Sequence, residues 1–238
     1  MKKAIVIGAS SGIGRELTKI LSGNQYIVGV MARRVQLLYE LDREVGGTLF
    51  VQTIDVADVE PAMETLEKFI KEMGGVDLVV ISAGTGEAND SLSWHFENEA
   101  IKTNVIGFAA LANVAMHHFE ERGSGHLVGI SSIAALRGGR ESPAYNASKA
   151  FESNYLEGLR QKVRKSQLPI TITDIKPGFV NTAMAKGGGI FWAAEPEKAA
   201  RQIFDAIKRR KRSVYITRRW VLIAWLIKLL PGFIYERL

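Results

Sequence analysis

The chain has 238 residues, 47% of them hydrophobic and 24% charged, with a formal net charge of +6 and no cysteine. That length suffices for one sizeable core in one domain, and the lack of cysteine excludes disulfides, thiolate nucleophiles and Cys-ligated metal, as expected of a cytoplasmic protein. The charge is lopsided: residues 201–238 hold ten Lys or Arg against Asp205 and Glu236, while the other 200 residues hold 21 cations against 23 acids, which argues against a nucleic-acid enzyme with a basic groove through its body.

Met1-Lys2-Lys3 ahead of Ala4-Ile5-Val6-Ile7 superficially looks like a secretory leader, but the apolar run is short and lacks an Ala-x-Ala cleavage site. It reads instead as a buried first strand over 4–7. Gly8-Ala9-Ser10-Ser11-Gly12-Ile13-Gly14 follows, and a helix over 14–21 begins there. Glycine allows the tight turn and a close approach of backbone to phosphate oxygens, and the free N–H groups and dipole of the helix start favour an anion. The loop lacks the Lys-Ser/Thr of a nucleoside-triphosphate P-loop, so a dinucleotide suits it better than ATP.

A second strand over 26–31 leads to Arg33 and Arg34, where an acid would hold the adenosine ribose of NAD; Arg15 opens the first helix. An arginine near the ribose 2′ position pairs with a 2′-phosphate, with a Coulomb attraction of about 4 kcal/mol per close pair before desolvation. The expected cofactor is therefore NADP, although each arginine taken alone also suits a solvated helix start. After a helix over 36–45 and a strand over 48–54, Asp55-Val56 is placed to meet the adenine, with Asp55 equally able to cap the next helix, 61–73. A strand over 78–82 ends in Ser82-Ala83-Gly84, small residues where a cofactor backbone passes close.

A long helix over 94–121 carries Asn104 between apolar neighbours, and a strand over 126–131 delivers Ser132 to a sheet edge. The next helix, over 143–165, starts at Pro143 and holds Tyr145 and Lys149. Residues four apart share a helix face, so phenol and ammonium reach one ligand. A neighbouring cation favours phenolate, and moving a phenol from ~10 toward 7 takes roughly 4 kcal/mol of differential stabilisation. Tyr145 then serves as general acid in reduction and base in oxidation. Ser132 is placed to hold the substrate oxygen and Asn104 to tie down a water that passes protons to Lys149.

A strand over 170–175, a helix over 196–208 and a strand over 214–217 complete the alternation. Short, wholly apolar strands separated by amphipathic helices imply an α/β, doubly wound domain, a seven-stranded parallel sheet with helices on both faces. Ligands of such sheets bind beyond the strands' carboxyl ends. The four histidines show no metal-ligand spacing, and no metal is expected.

These pieces, in this order, resemble the short-chain dehydrogenase/reductase family over about residues 3–217, through Gly8 to Gly14, Asp55, Ala83-Gly84, Asn104, Ser132, Tyr145, Lys149 and Pro177-Gly178 with Thr182. The resemblance implies a catalytic tetrad of Asn104, Ser132, Tyr145 and Lys149, with Lys149 also on the nicotinamide ribose. It implies a nicotinamide-contacting loop over 177–182 with Val180 and Thr182 near the carboxamide, a lid over 185–192, and a homodimer or homotetramer built on the helices that carry Asn104 and Tyr145. The chain departs from the family pattern at Ile7, usually Thr, and at Ile81-Ser82, usually two asparagines.

The expected activity is hydride transfer between NADP(H) and a carbonyl or secondary alcohol of a small, apolar substrate. The alternative is a catalytically idle NADP-binding module that senses redox state for a partner; nucleotide-sugar epimerisation is disfavoured for want of a larger substrate domain. Beyond the domain over 1–217 lies an extension, 218–238, in which Trp220-Val221-Leu222-Ile223-Ala224-Trp225-Leu226-Ile227-Lys228-Leu229-Leu230 is apolar on almost every helical face. It is too short to span a bilayer and must be covered by the domain, a second subunit, a partner protein or a membrane surface. The basic run 208–212, with Arg218 and Arg219, favours anionic lipid.

Overall fold

The computed structural model describes residues 1–182 and 192–237. In chain order its elements are β1 (Lys3–Ile7), α1 (Gly12–Gly23), β2 (Ile27–Ala32), α2 (Val35–Glu44), β3 (Phe50–Thr53), α3 (Val59–Glu72), β4 (Leu78–Ile81) and α4 (Trp94–Ala100). A π-helical turn (Ile101–Gly107) joins α4 to α5 (Phe108–Arg122), and β5 (Gly125–Ile130), a 3-10 turn (Ile133–Leu136), α6 (Pro143–Ser166), β6 (Ile170–Pro177), α7 (Pro196–Lys208), β7 (Ser213–Ile216), α8 (Trp220–Leu229) and α9 (Gly232–Tyr235) follow. The seven strands are parallel in the order β3-β2-β1-β4-β5-β6-β7, the doubly wound sheet expected.

The continuous apolar strands are two interleaved sets, because successive side chains point to opposite faces. Ile5 and Ile7 of β1 pack with Leu66, Phe69, Phe108, Leu111, Phe119 and Leu156, from α3, α5 and α6. Ala4 and Val6 pack with Leu17, Leu21, Leu38, Leu41 and Ile203, from α1, α2 and α7. Burial on both faces holds for the inner strands; at the edges Phe50 of β3 and Ser213 of β7 are exposed. The strand order reverses between β1 and β4, so the chain leaves their carboxyl ends in opposite directions and opens a crevice there.

The helix expected over 94–121 is interrupted. Its middle turn is π-helical, an inserted-residue geometry that often marks functional sites, and Asn104 sits in it.

After β7 the chain turns back over the carboxyl end of the sheet. Trp220 packs where Gly178 lacks a side chain: a Cβ there would lie 2.1 Å from the indole. Arg137, just past the 3-10 turn, donates through Nε to the Ile227 carbonyl at 3.2 Å and through Nη2 to that of Leu230, and the Tyr235 hydroxyl donates to the Gly138 carbonyl at 2.6 Å. The extension is thereby tied to the loop that precedes α6. The basic run 208–212 lies elsewhere. It precedes β7, where the Arg212 carbonyl accepts from Asp174 N–H and the Lys211 carbonyl from the Thr173 hydroxyl. It is therefore a β7 length, about 13 Å, from the end where α8 begins.

Candidate active site

A cavity of about 1320 Å³ lies at the strands' carboxyl ends and is lined by residues from both halves of the sheet, from Gly8 after β1 to Thr182 after β6. Gly8 has φ +91°, and a Cβ on it would come within 2.4 Å of the Ala83 backbone, so only glycine lets the loops after β1 and β4 meet. Ser10, Ser11, Gly12 and Ile13 line the cavity where α1 begins; the first turn of α1 carries no acidic residue, which leaves its positive end available to an anion. Gly14 lies just behind, inside α1. The Arg34 guanidinium bridges the hydroxyls of Ser10 at 3.0 Å and Ser11 at 2.9 Å. Arg33 is exposed, with Nη1 4.0 Å from Asp55. Arg33, Asp55 and Val56 line the same end of the cavity, with Ala83 and Gly84 beside the loop.

Arg15 is not brought to this group. It donates to the Leu37 carbonyl at 3.2 Å and pairs with Glu44, on the side of α1 from which Lys19 also reaches Glu44. Asp55 accepts from Ala57 N–H at 3.0 Å, a turn ahead of α3; the residue at the N-cap of that helix is Asp58, not Asp55.

Tyr145, Lys149 and Ser132 share the opposite wall. The Lys149 ammonium stands 5.9 Å from the Tyr145 ring centre and donates to the Ile130 carbonyl at 3.2 Å and to both carboxylate oxygens of Glu152, at 2.7 and 3.0 Å. Burial pulls the Lys149 ammonium down, but Glu152 and Tyr145 beside it more than offset this, and it is held above its ordinary value. Burial also pushes the Glu152 carboxyl up to about 7, an effect that Lys149 only partly opposes. Ser132 accepts from Ala134 N–H at 3.1 Å, which leaves its own proton to donate into the cavity.

Asn104 is fully buried and braces the wall from behind. It donates to the Thr85 carbonyl at 2.7 Å and the Ser148 hydroxyl at 2.9 Å, and accepts from Thr85 N–H at 2.9 Å. These bonds clamp the loop after β4 to α6, next to Tyr145. Pro177, Gly178, Val180 and Thr182 close the cavity above the sheet. Of the lid expected over 185–192, residues 185–191 lie outside the described residues; the Trp192 carbonyl accepts from Arg219 at 2.6 Å.

Three contributors are not singled out by pattern. Glu152 is fully buried on the face of α6 that holds Lys149; its spacing of three residues is legible, but such pairs ordinarily sit in solvent. Gly86 makes room for the Tyr145 ring, 2.4 Å from where its Cβ would be. Arg137 fastens the extension to the cavity rim, and nothing in the local sequence signals it. The nearby Asp174 carboxylate accepts from Ser131 and from Ser153, the latter at 2.8 Å, and pairs with Lys176. The floor under Lys149 is therefore a polar layer in which each charge has a partner.

Among the described residues no cluster of His, Cys, Asp or Glu suits a metal. The glycine turn, the unopposed helix start and Arg34 on the two serines together fit a phosphorylated dinucleotide.

A family model described as short chain dehydrogenase matches residues 2–189. An uncharacterized oxidoreductase of Myxococcus xanthus is 38% identical over 188 residues, 77% of this chain and 74% of the relative. Among solved structures, a short-chain dehydrogenase from Sphingobium yanoikuyae in complex with NADPH superposes with TM-score 0.80 at 19% identity, over 98% of this chain and 97% of that one. A short-chain dehydrogenase/reductase from Burkholderia phymatum in complex with NAD gives TM-score 0.83 at 18% identity, over 94% and 92%.

Proposed function

The chain belongs to the short-chain dehydrogenase/reductase family of oxidoreductases, and from that premise we propose that it is an NADP(H)-dependent enzyme acting on the carbonyl or secondary alcohol of a small, apolar substrate. The observation that carries the reading is the shared wall on which Ser132, Tyr145 and Lys149 face one cavity opposite the glycine turn.

Gly8, Ser10 to Gly14 and Arg34 would hold the phosphates, with Arg34 and Arg33 on the 2′-phosphate and Asp55 and Val56 on the adenine. Ala83 and Gly84 would pass the middle of the dinucleotide, and Pro177, Gly178, Val180 and Thr182 would cover its nicotinamide. A nicotinamide cofactor held by these residues would supply a hydride to a carbonyl carbon in reduction and would accept one from the alcohol carbon in oxidation. Tyr145 gives the carbonyl oxygen its proton in reduction and takes it back in oxidation. Ser132 donates a hydrogen bond to the same oxygen. Lys149 places its positive charge beside the phenol and reaches the ribose, while Asn104 keeps the loop after β4 from drifting off Tyr145. NADP is preferred to NAD because Arg34 stands where an acid would discriminate the other way, although one fold neighbour carries NADPH and another NAD.

We place the enzyme in the cytoplasm, with residues 1–217 as catalytic domain and 218–238 as an extension packed on it, in a homodimer or homotetramer through the helices carrying Asn104 and Tyr145. The test is NADPH oxidation across a panel of ketones and aldehydes. Tyr145→Phe should lower kcat/KM by about 10³-fold, within the range for a positioned acid/base group. A wild type that turns over none of the panel, or a Tyr145→Phe that matches it, sinks the reading in favour of an idle binding module. Arg34→Ala should cut the preference for NADP over NAD by about tenfold or more, the worth of one charged hydrogen bond; an unchanged ratio removes Arg34 from the cofactor site.

A further inference from the structure

Helix α8 is apolar on both sides. Trp220 and Ala224 are buried against the domain, yet Leu222, Trp225, Leu226, Leu229 and, beyond the helix, Phe233 remain 64–72% exposed. The four on α8 recur at helical spacing on its outer side, a contiguous patch of the kind that marks an interaction surface. Its rim is cationic: Arg218 and Arg219 precede the helix, Lys228 lies within it and Arg237 follows it, with no acid from Arg218 to Tyr235 and only Glu236 after. Among the described residues no helix is long and apolar enough to cross a membrane. Ten residues of helix measure about 15 Å, half the thickness of a hydrocarbon core, so α8 suits a position in the plane of an interface.

We propose that this face seats on the surface of an anionic bilayer and that the enzyme draws its substrate from the leaflet, which narrows the apolar carbonyl substrate of the preceding reading to one whose alkyl chain partitions into lipid. The inference rests on the reading of the cavity as the active site. A second copy of the chain is the competing occupant, and charge decides against it. Two such faces paired in either direction set Arg218 and Arg219 of one copy against Arg218 and Arg219 or Lys228 of the other, with no facing carboxylate from Arg218 to Tyr235. Anionic headgroups answer every one of these cations, and Trp225 has the ring type that settles at the headgroup boundary. The substrate class follows from continuity. Trp220, Ile227 and Tyr235, from the same extension, line the cavity alongside Arg137 and Glu236, so an acyl chain entering from the lipid would meet three large side chains of the extension inside the cavity that also holds Tyr145.

The test floats the purified full chain with phosphatidylcholine vesicles, with and without phosphatidylglycerol. Wild type should bind the anionic vesicles at low salt and release several-fold at about 0.5 M salt, where screening shortens to a few ångströms. Leu226→Glu and Trp225→Glu should each lose binding by about tenfold or more, with unchanged melting temperature and unchanged activity on a short-chain ketone in solution. With a long-chain methyl ketone dissolved in anionic vesicles, wild type should exceed Leu226→Glu in kcat/KM by about tenfold, the loss carried over from binding. Wild type that does not float, or variants that float equally well, overturn the proposal. So does a fall in oligomer mass by light scattering for Leu226→Glu, since that assigns the face to a second copy. Vesicle binding without turnover of any ketone would instead strike the catalytic reading, so the two failures are distinguishable.

Discussion

Two walls of the molecule, one inside the cavity and one outside it, treat water and charge in opposite ways. On α6, Lys149 and Glu152 are ionisable yet buried, each using the other to satisfy bonds that solvent would otherwise make. On α8, Trp225 and Leu226 are apolar yet lie in water. The first arrangement is stable only if every partner is in place, because a lone buried charge costs several kcal/mol. The second places few demands on the fold, because the outer side of α8 supports nothing beneath it. Burial, rather than residue type, therefore tells which wall the fold depends on and which is free to meet something else.

The largest contrast is expected from deleting the carboxylate of the floor. Glu152→Leu leaves the Lys149 ammonium buried without its partner and should cost about 3 kcal/mol or more in urea unfolding at pH 8; a loss under 1 kcal/mol would mean the pair is hydrated and the contrast between the walls false. A second, comparable effect comes from pH. His126, buried against Thr173 at the far end of β5, is lowered from 6.5 to about 4, chiefly by burial, with Arg210 and Lys2 adding to it. Its folded value lies below its unfolded one, so the unfolded chain takes up the proton first. Stability should fall by about 3 kcal/mol as pH drops from 6.5 to 4, and His126→Asn should flatten that part of the profile. The smallest effect belongs to the outer wall: Leu226→Glu adds a carboxylate where Glu152→Leu removes one, and should change stability by no more than about 0.5 kcal/mol. A larger loss would show that α8 is packed more tightly than its exposure implies.

Much of this was readable from residues in line. The seven strands and the helices between them follow from apolar runs broken by Gly8, Gly84 and Pro177, and Tyr145 with Lys149 is legible because a helix repeats its face every four residues. Asn104 and Ser132 could be placed on their elements, but their partners could not. That Asn104 clamps Thr85 to Ser148 depends on a π-helical turn, which has no spacing signature of its own.

Position along the chain misleads where the sheet separates neighbours. The run 208–212 ends thirteen residues before Trp225 in sequence, yet β7 carries the chain away from it before α8 starts. Arg15 stands next to the glycine turn in sequence, and its side chain reaches across to Glu44 and the Leu37 carbonyl of α2 instead.

By itself the sequence determined the doubly wound sheet, the place of the glycine turn and the order of the four polar residues, because hydrophobic periodicity and turn chemistry are local. Only the tertiary structure decided that Glu152 lies buried under Lys149, that Arg34 rests on Ser10 and Ser11, and that the apolar extension has a free side. Each of these depends on which faces of distant elements meet, and burial changes what a charge or an apolar side chain is worth.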